Sequence, residues 1–126
     1  MSIVGVGIDI VEVLRIKKIF FNYGDIFAKK ILSLKELKRY ILSKNKITFL
    51  AKKFAVKEAA SKALGVGINH GITFNQLELY NNKLGKPQLR FLKRALKKSK
   101  EIQCTSIHVS ISDQKLYACA LVILEN

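Results

Sequence analysis

Tryptophan is absent from this chain, proline occurs once, and 9 acidic residues stand against 23 lysines and arginines. Each shortage excludes something. With a single proline, and no glycine- or serine-rich tract, there is no linker and no low-complexity segment, so residues 1–126 are expected to form one domain. The cysteines are only two, Cys104 and Cys119, set far apart in apolar, strand-like surroundings. That excludes a zinc motif and a disulfide framework. No uncharged apolar run reaches the roughly 18 residues that would span a bilayer. No basic segment precedes the apolar start MSIVGVGIDI, so a signal peptide is not expected, and the expected compartment is the cytoplasm.

What is present points to a packed globule with an acidic partner. Hydrophobic residues make up 49% of 126 residues, which argues against disorder. The net charge of +14 admits nucleic acid, an anionic membrane surface or an acidic protein. Four arginines against nineteen lysines weaken the nucleic-acid option, because base and phosphate recognition leans on the bidentate guanidinium. A basic nucleic-acid-binding module without catalysis is the alternative that the charge leaves open. It has no aromatic stacking surface and no recognisable binding motif.

Ser2–Ile10 alternates as a strand, with Val4, Val6, Ile8 and Ile10 on one face and Gly5, Gly7 and Asp9 on the other. Glycines there allow another backbone or a ligand to come close, and Asp9 is the only charge on that opened face. Asp9 as a helix N-cap is the competing assignment. Val11–Phe21 has helical spacing. Residues 22–25 break the chain, and Ile26–Leu32 is a short apolar and basic stretch. Ser33 and Glu36 have capping-box spacing and open a helix to Leu42.

Phe49–Gly65 follows, a helix apolar nearly all round and therefore expected between other elements, with Gly65 placed to end it. A glycine-containing loop spans residues 66–71. Strands are expected at Thr73–Tyr80 and Gln88–Leu92 about a turn at 81–87, then a basic helix at Phe91–Lys100. Ser106–Ser112 alternates strictly, with His108 on its polar face. Lys115–Leu124 is the longest apolar run and the expected central strand. The order predicts an α+β fold, a mostly antiparallel sheet packed on a long central helix.

Glu58 lies on that central helix where a helix would normally bury an apolar side chain. A plain i,i+4 surface pair with Lys62 would account for it. Together with Asp9 it would instead form a two-carboxylate site. Two carboxylates without clustered His or Cys suit a hard, oxygen-seeking ion such as Mg²⁺, which commonly bridges substrate phosphates. Lys53, Lys57 and Lys62 would then stand beside it to meet those phosphates. A general acid and base pair is the competing chemistry, and it leaves the lysines and glycines without a role.

Residues 7–16, GIDIVEVLRI, and 54–65, FAVKEAASKALG, resemble the two signatures of the holo-acyl-carrier-protein synthases, within the 4′-phosphopantetheinyl transferase superfamily. Gly85-Lys86-Pro87 and His108–Ser112 match the family's two later landmarks, in order along the whole chain. The resemblance implies transfer of 4′-phosphopantetheine from coenzyme A to a serine of apo acyl carrier protein. The reaction releases adenosine 3′,5′-bisphosphate and supports fatty acid biosynthesis. It implies that Asp9 and Glu58 hold Mg²⁺, that Glu58 or a water on it takes the serine proton, and that Lys62 contacts a phosphate oxygen. Lys53 and His108 match the positions that handle the 3′-phosphate side of the nucleotide. The family usually carries Arg where this chain has Lys53, which removes a bidentate contact. The loops at Gly65–Gly71 and Gly85–Pro87, with Lys86, would shape the nucleotide pocket, and Arg15 would dock the acidic carrier protein. Short members of the family are homotrimers with sites between subunits, so a homotrimer is expected, with no nucleic-acid partner and no membrane span.

Overall fold

The computed structural model describes residues 1–126. Strand β1 (Ile3–Glu12) leads into helices α1 (Val13–Tyr23), α2 (Asp25–Ile31), α3 (Leu34–Leu42) and α4 (Lys46–Ala63). A short 3₁₀ turn at Phe74–Gln76 opens a hairpin of β2 (Leu77–Asn81) and β3 (Pro87–Phe91). Helix α5 (Lys93–Glu101) and strands β4 (Ser106–Asp113) and β5 (Tyr117–Glu125) complete the chain. This is the α+β fold expected, with every strand pair antiparallel. The larger sheet has the order β1-β5-β4, so the longest apolar run is indeed its centre. The hairpin is a separate two-stranded sheet. No helix is long and apolar enough to cross a membrane.

Helix α4 lies on the inner face of the three-stranded sheet, and nine of its eighteen residues are buried. It starts earlier than its apolar pattern suggested, because the Asn45 side chain accepts from the Thr48 N–H at 3.1 Å and caps the first turn. Gly65, with φ +85°, takes the left-handed position just past the end. Close packing on β1 depends on two missing side chains. A Cβ on Gly7 would sit 1.8 Å from the Ala59 carbonyl oxygen, and one on Gly5 would sit 2.0 Å from that of Ala63.

The glycine face of β1 is thus closed by helix backbone, and its apolar face is the open one. Val6, Ile8 and Ile10 are 55%, 60% and 64% exposed. Alternation correctly sorts these residues into two faces, and of the two partners the glycines admit, backbone or ligand, the one at Gly5 and Gly7 is the backbone of α4, so the face expected to be open is the covered one there.

The stretch 26–32 is a helix in its own right, α2, which buries Ala28 and Ile31 and supplies Asp25 to the Tyr40 hydroxyl at 2.8 Å. The capping box forms as spaced: the Glu36 N–H donates to Ser33 Oγ, and the Ser33 N–H donates to Glu36 Oε1. The strand expected from Thr73 begins only at Leu77, because residues 74–76 are taken into the 3₁₀ turn. Phe74 uses that turn to reach Phe54 on α4, with ring centroids 5.4 Å apart.

Candidate active site

Asp9 and Glu58 are brought together from different elements. Strand β1 continues to Glu12 and α1 starts at Val13, so Asp9 is a strand residue and caps nothing. It shares the glycine face, and the close approach of α4 over Gly5 and Gly7 carries the Glu58 turn toward it. Lys62 Nζ donates to Asp9 Oδ1 and to the Ile8 carbonyl, both at 3.0 Å. The lysine therefore pairs with the strand carboxylate across the helix–strand boundary, and the simple i,i+4 pair with Glu58 does not form.

Burial raises the Glu58 pKa above the usual carboxylate range, and the negative charge of Asp9 raises it further. Lys62 and Arg15 pull in the opposite direction, which places the Arg15 charge within reach of Glu58. Two converging carboxylates that repel each other favour a cation between them. No third His, Cys, Asp or Glu joins them. An ion there would keep open positions for water and substrate oxygens, as Mg²⁺ prefers. The donor set fits that ion.

A second group gathers elsewhere. Lys53, Gly85 and Pro87 line a cleft of about 480 Å³ together with Asn45, Thr48 and Phe49. The Lys53 ammonium stands 4.7 Å over the Phe49 ring. Burial pulls its pKa down to about 8; Arg39, Lys57 and Lys52 add to this, and the Glu36 carboxylate opposes it. Gly85, at φ +84°, belongs to a turn held by Asn82, whose side-chain oxygen accepts from the Leu84 and Lys86 N–H groups at 2.9 and 3.0 Å. Lys86 is exposed on that turn. The walls of this cleft include none of Asp9, Glu58 and Lys62.

His108 is apart from both groups. It points from β4 to the sheet face that carries Val6, Ile8 and Ile10, and its Nε2 lies 3.1 Å from Glu125 Oε1. Within one chain it is across the sheet from Asp9.

Lys57 is corrected outright. Expected beside a phosphate, it is fully buried, and Nζ donates to Glu36 Oε1 at 2.7 Å and to the carbonyls of Phe74 and Leu77 at 2.9 and 2.6 Å. It touches no open surface. Its partner Glu36 was visible in the sequence only as a cap. Nothing in the local pattern shows that the same carboxylate also receives Lys57 and, on Oε2, the Leu79 N–H at 3.0 Å. Asn45 and Thr48 in the cleft were missed for a similar reason, since they sit in what reads as a plain polar turn and helix start.

With this geometry in place, the likeness to known proteins is informative. The model of the family described as the 4′-phosphopantetheinyl transferase superfamily matches residues 5–122. The holo-[acyl-carrier-protein] synthase of Buchnera aphidicola subsp. Acyrthosiphon pisum is 77% identical over 126 residues, covering 100% of both chains. Among solved structures, the holo-[acyl-carrier-protein] synthase of Neisseria meningitidis superposes with a TM-score of 0.91 at 35% identity, covering 99% of this chain and 100% of that one. The Helicobacter pylori enzyme in complex with coenzyme A has a TM-score of 0.82 at 32% identity, covering 95% and 99%. The chain belongs to the 4′-phosphopantetheinyl transferase superfamily, and within it to the holo-[acyl-carrier-protein] synthases.

Proposed function

We propose that this chain, acting as one transferase domain, moves 4′-phosphopantetheine from coenzyme A to a serine hydroxyl of an apo acyl carrier protein. The observation that carries the reading is the meeting of Asp9, Glu58 and Lys62 at the α4–β1 contact, in a family whose Helicobacter pylori member is solved with coenzyme A. The serine oxygen forms a bond to the pantetheine-side phosphorus. The bond from that phosphorus to the bridging pyrophosphate oxygen breaks, and adenosine 3′,5′-bisphosphate leaves with the electron pair.

Asp9 and Glu58 would hold Mg²⁺, which supplies charge neutralisation for the pyrophosphate when bound. The Glu58 carboxylate, directly or through a water, accepts the serine proton. Lys62 has rotatable donors and an exposed stem, so its ammonium can leave Asp9 for a phosphate oxygen as charge develops there. Gly65, one turn beyond, leaves open space for the pantetheine phosphate to pass. Lys53, Gly85 and Pro87 line the nucleotide end, with Lys86 exposed on the turn beside it and a single-point contact from Lys53 to the 3′-phosphate.

Three observations support a homotrimer with sites between subunits. The carboxylate pair and the Lys53 cleft are separate within one chain. His108 lies on the far side of the sheet from Asp9. The face beside His108 exposes a row of β-branched residues of the kind an interface covers. Arg15 and the basic helices would receive the acidic carrier protein, and the compartment would be the cytoplasm, in support of fatty acid biosynthesis.

Release of adenosine 3′,5′-bisphosphate tests the reading. It should match carrier loading one for one, stop on addition of EDTA and return with excess Mg²⁺. Release without carrier loading would show a hydrolase instead.

A further inference from the structure

Of the lysines expected at the site, Lys57 is the one that the reaction leaves without a role, and it is held by three acceptors. It is fully buried, with acceptors from three places: Glu36 on α3, Phe74 in the 3₁₀ turn and Leu77 at the start of β2. Glu36 is equally enclosed: its carboxylate accepts three hydrogen bonds, from Lys57 and from the Ser33 and Leu79 N–H groups, and its own N–H donates to Ser33 Oγ. No buried polar side-chain atom in the protein lacks a partner.

A buried ion pair of this kind is a poor source of net stability, since apolar residues of similar volume often do as well. What it supplies that a leucine cannot is direction. On the other side of α4 the directional link to β1 is Lys62, whose side chain is half exposed and which the reaction draws away from Asp9. The rest of that contact is the backbone of Ala59 and Ala63 over Gly5 and Gly7, small groups that set the distance between helix and strand but interlock weakly against rotation. Neighbouring helix positions are about 100° apart around the axis. Lys57 pulled toward β2 therefore leaves Glu58 turned toward β1 and Asp9.

We propose that Lys57 is a positioning residue for the transfer reaction. Its bond to Glu36 and to the two carbonyls entering β2 sets the roll of α4, and so aims the Glu58 carboxylate at Asp9. The proposal rests on the transferase reading. The parent protein's own transfer activity tests that reading, whereas the departure of variants from the parent tests this one.

Lys57→Met removes the ammonium and keeps the stem; Glu36→Gln keeps the ammonium and both carbonyl acceptors. Each variant is compared with the parent by circular dichroism and gel filtration, by kcat and carrier-protein KM, and by the Mg²⁺ concentration giving half-maximal rate. A readout independent of turnover is Mn²⁺ binding to the protein–coenzyme A complex, followed by electron paramagnetic resonance. Folded Lys57→Met should lose at least tenfold in kcat and fivefold in Mn²⁺ affinity, with the half-saturating Mg²⁺ rising to match and carrier KM within twofold. Glu36→Gln should show the same split at about threefold. A folded Lys57→Met with kcat and Mn²⁺ affinity within twofold of the parent would overturn the proposal. So would activity falling only in step with the folded fraction, or a failure of both variants to fold, which would make the pair a stability element and nothing more.

Discussion

Glu58 and Lys57 are adjacent in sequence and opposite in fate. Glu58 keeps access to solvent and a carboxylate neighbour; Lys57 is sealed in. Residue type and spacing singled out Asp9, Glu58 and Lys62 as candidates but left Glu58 open to a plain surface pair, and the resemblance to the family gave them a role; the structure brings Lys62 onto Asp9 and puts the Asp9 charge within reach of Glu58. Lys57 was not legible. Its partner lies 21 residues away on another helix, and no wheel drawn on α4 contains it.

Lys53 carries a prediction at this scale. Burial holds its pKa near 8, below the ordinary lysine value of 10.5. It is cationic below that pH and loses its charge above it. The kcat/KM for coenzyme A should therefore fall as pH rises through about 8, and Lys53→Arg should remove that inflection. An unchanged inflection in Lys53→Arg would assign the titration to another group. Linkage gives a second sign: between about 8 and 10.5 the unfolded chain binds the proton that the folded chain has released, so stability rises with pH across that window.

At the scale of elements, the site depends on how closely α4 lies on β1. Gly7→Ala would place a methyl 1.8 Å from the Ala59 carbonyl oxygen, a backbone atom that no rotamer can move. The variant should lose about 3 kcal/mol or more of stability by chemical denaturation. A loss below about 1 kcal/mol would mean that the helix and strand separate easily. The central β5, the capping box at Ser33 and the end of α4 at Gly65 were all readable from periodicity and turn chemistry. Which face of β1 is covered was not, because alternation assigns residues to faces and only tertiary packing chooses the face that α4 occupies. Helix α2 escaped because seven residues are too few to show a period.

At the scale of the whole molecule, two surfaces remain to be occupied. Val6, Ile8 and Ile10 form an exposed apolar row next to His108. If copies of the chain meet there, Ile8→Asp should shift gel-filtration elution from trimer to monomer and remove transfer activity with it, since the separate half-sites would no longer meet. A monomeric Ile8→Asp with full activity would show that one chain is sufficient. The net charge of +14 is the second feature. Electrostatic steering of an acidic carrier is screened over about 10 Å at 0.1 M salt. Raising the ionic strength should therefore raise the carrier-protein KM well before kcat changes, and a flat KM would remove charge from docking.

Asp9, Glu58 and Lys62 are proposed to form the transfer site. The most direct test of that proposal is mass spectrometry of an apo acyl carrier protein incubated with this chain, coenzyme A and Mg²⁺, run beside Glu58→Gln. The parent should add one phosphopantetheine, about 340 Da, to the carrier serine. The folded Glu58→Gln variant should be at least about 100-fold slower. An unmodified carrier with the parent, or equal rates for both proteins, would contradict the account.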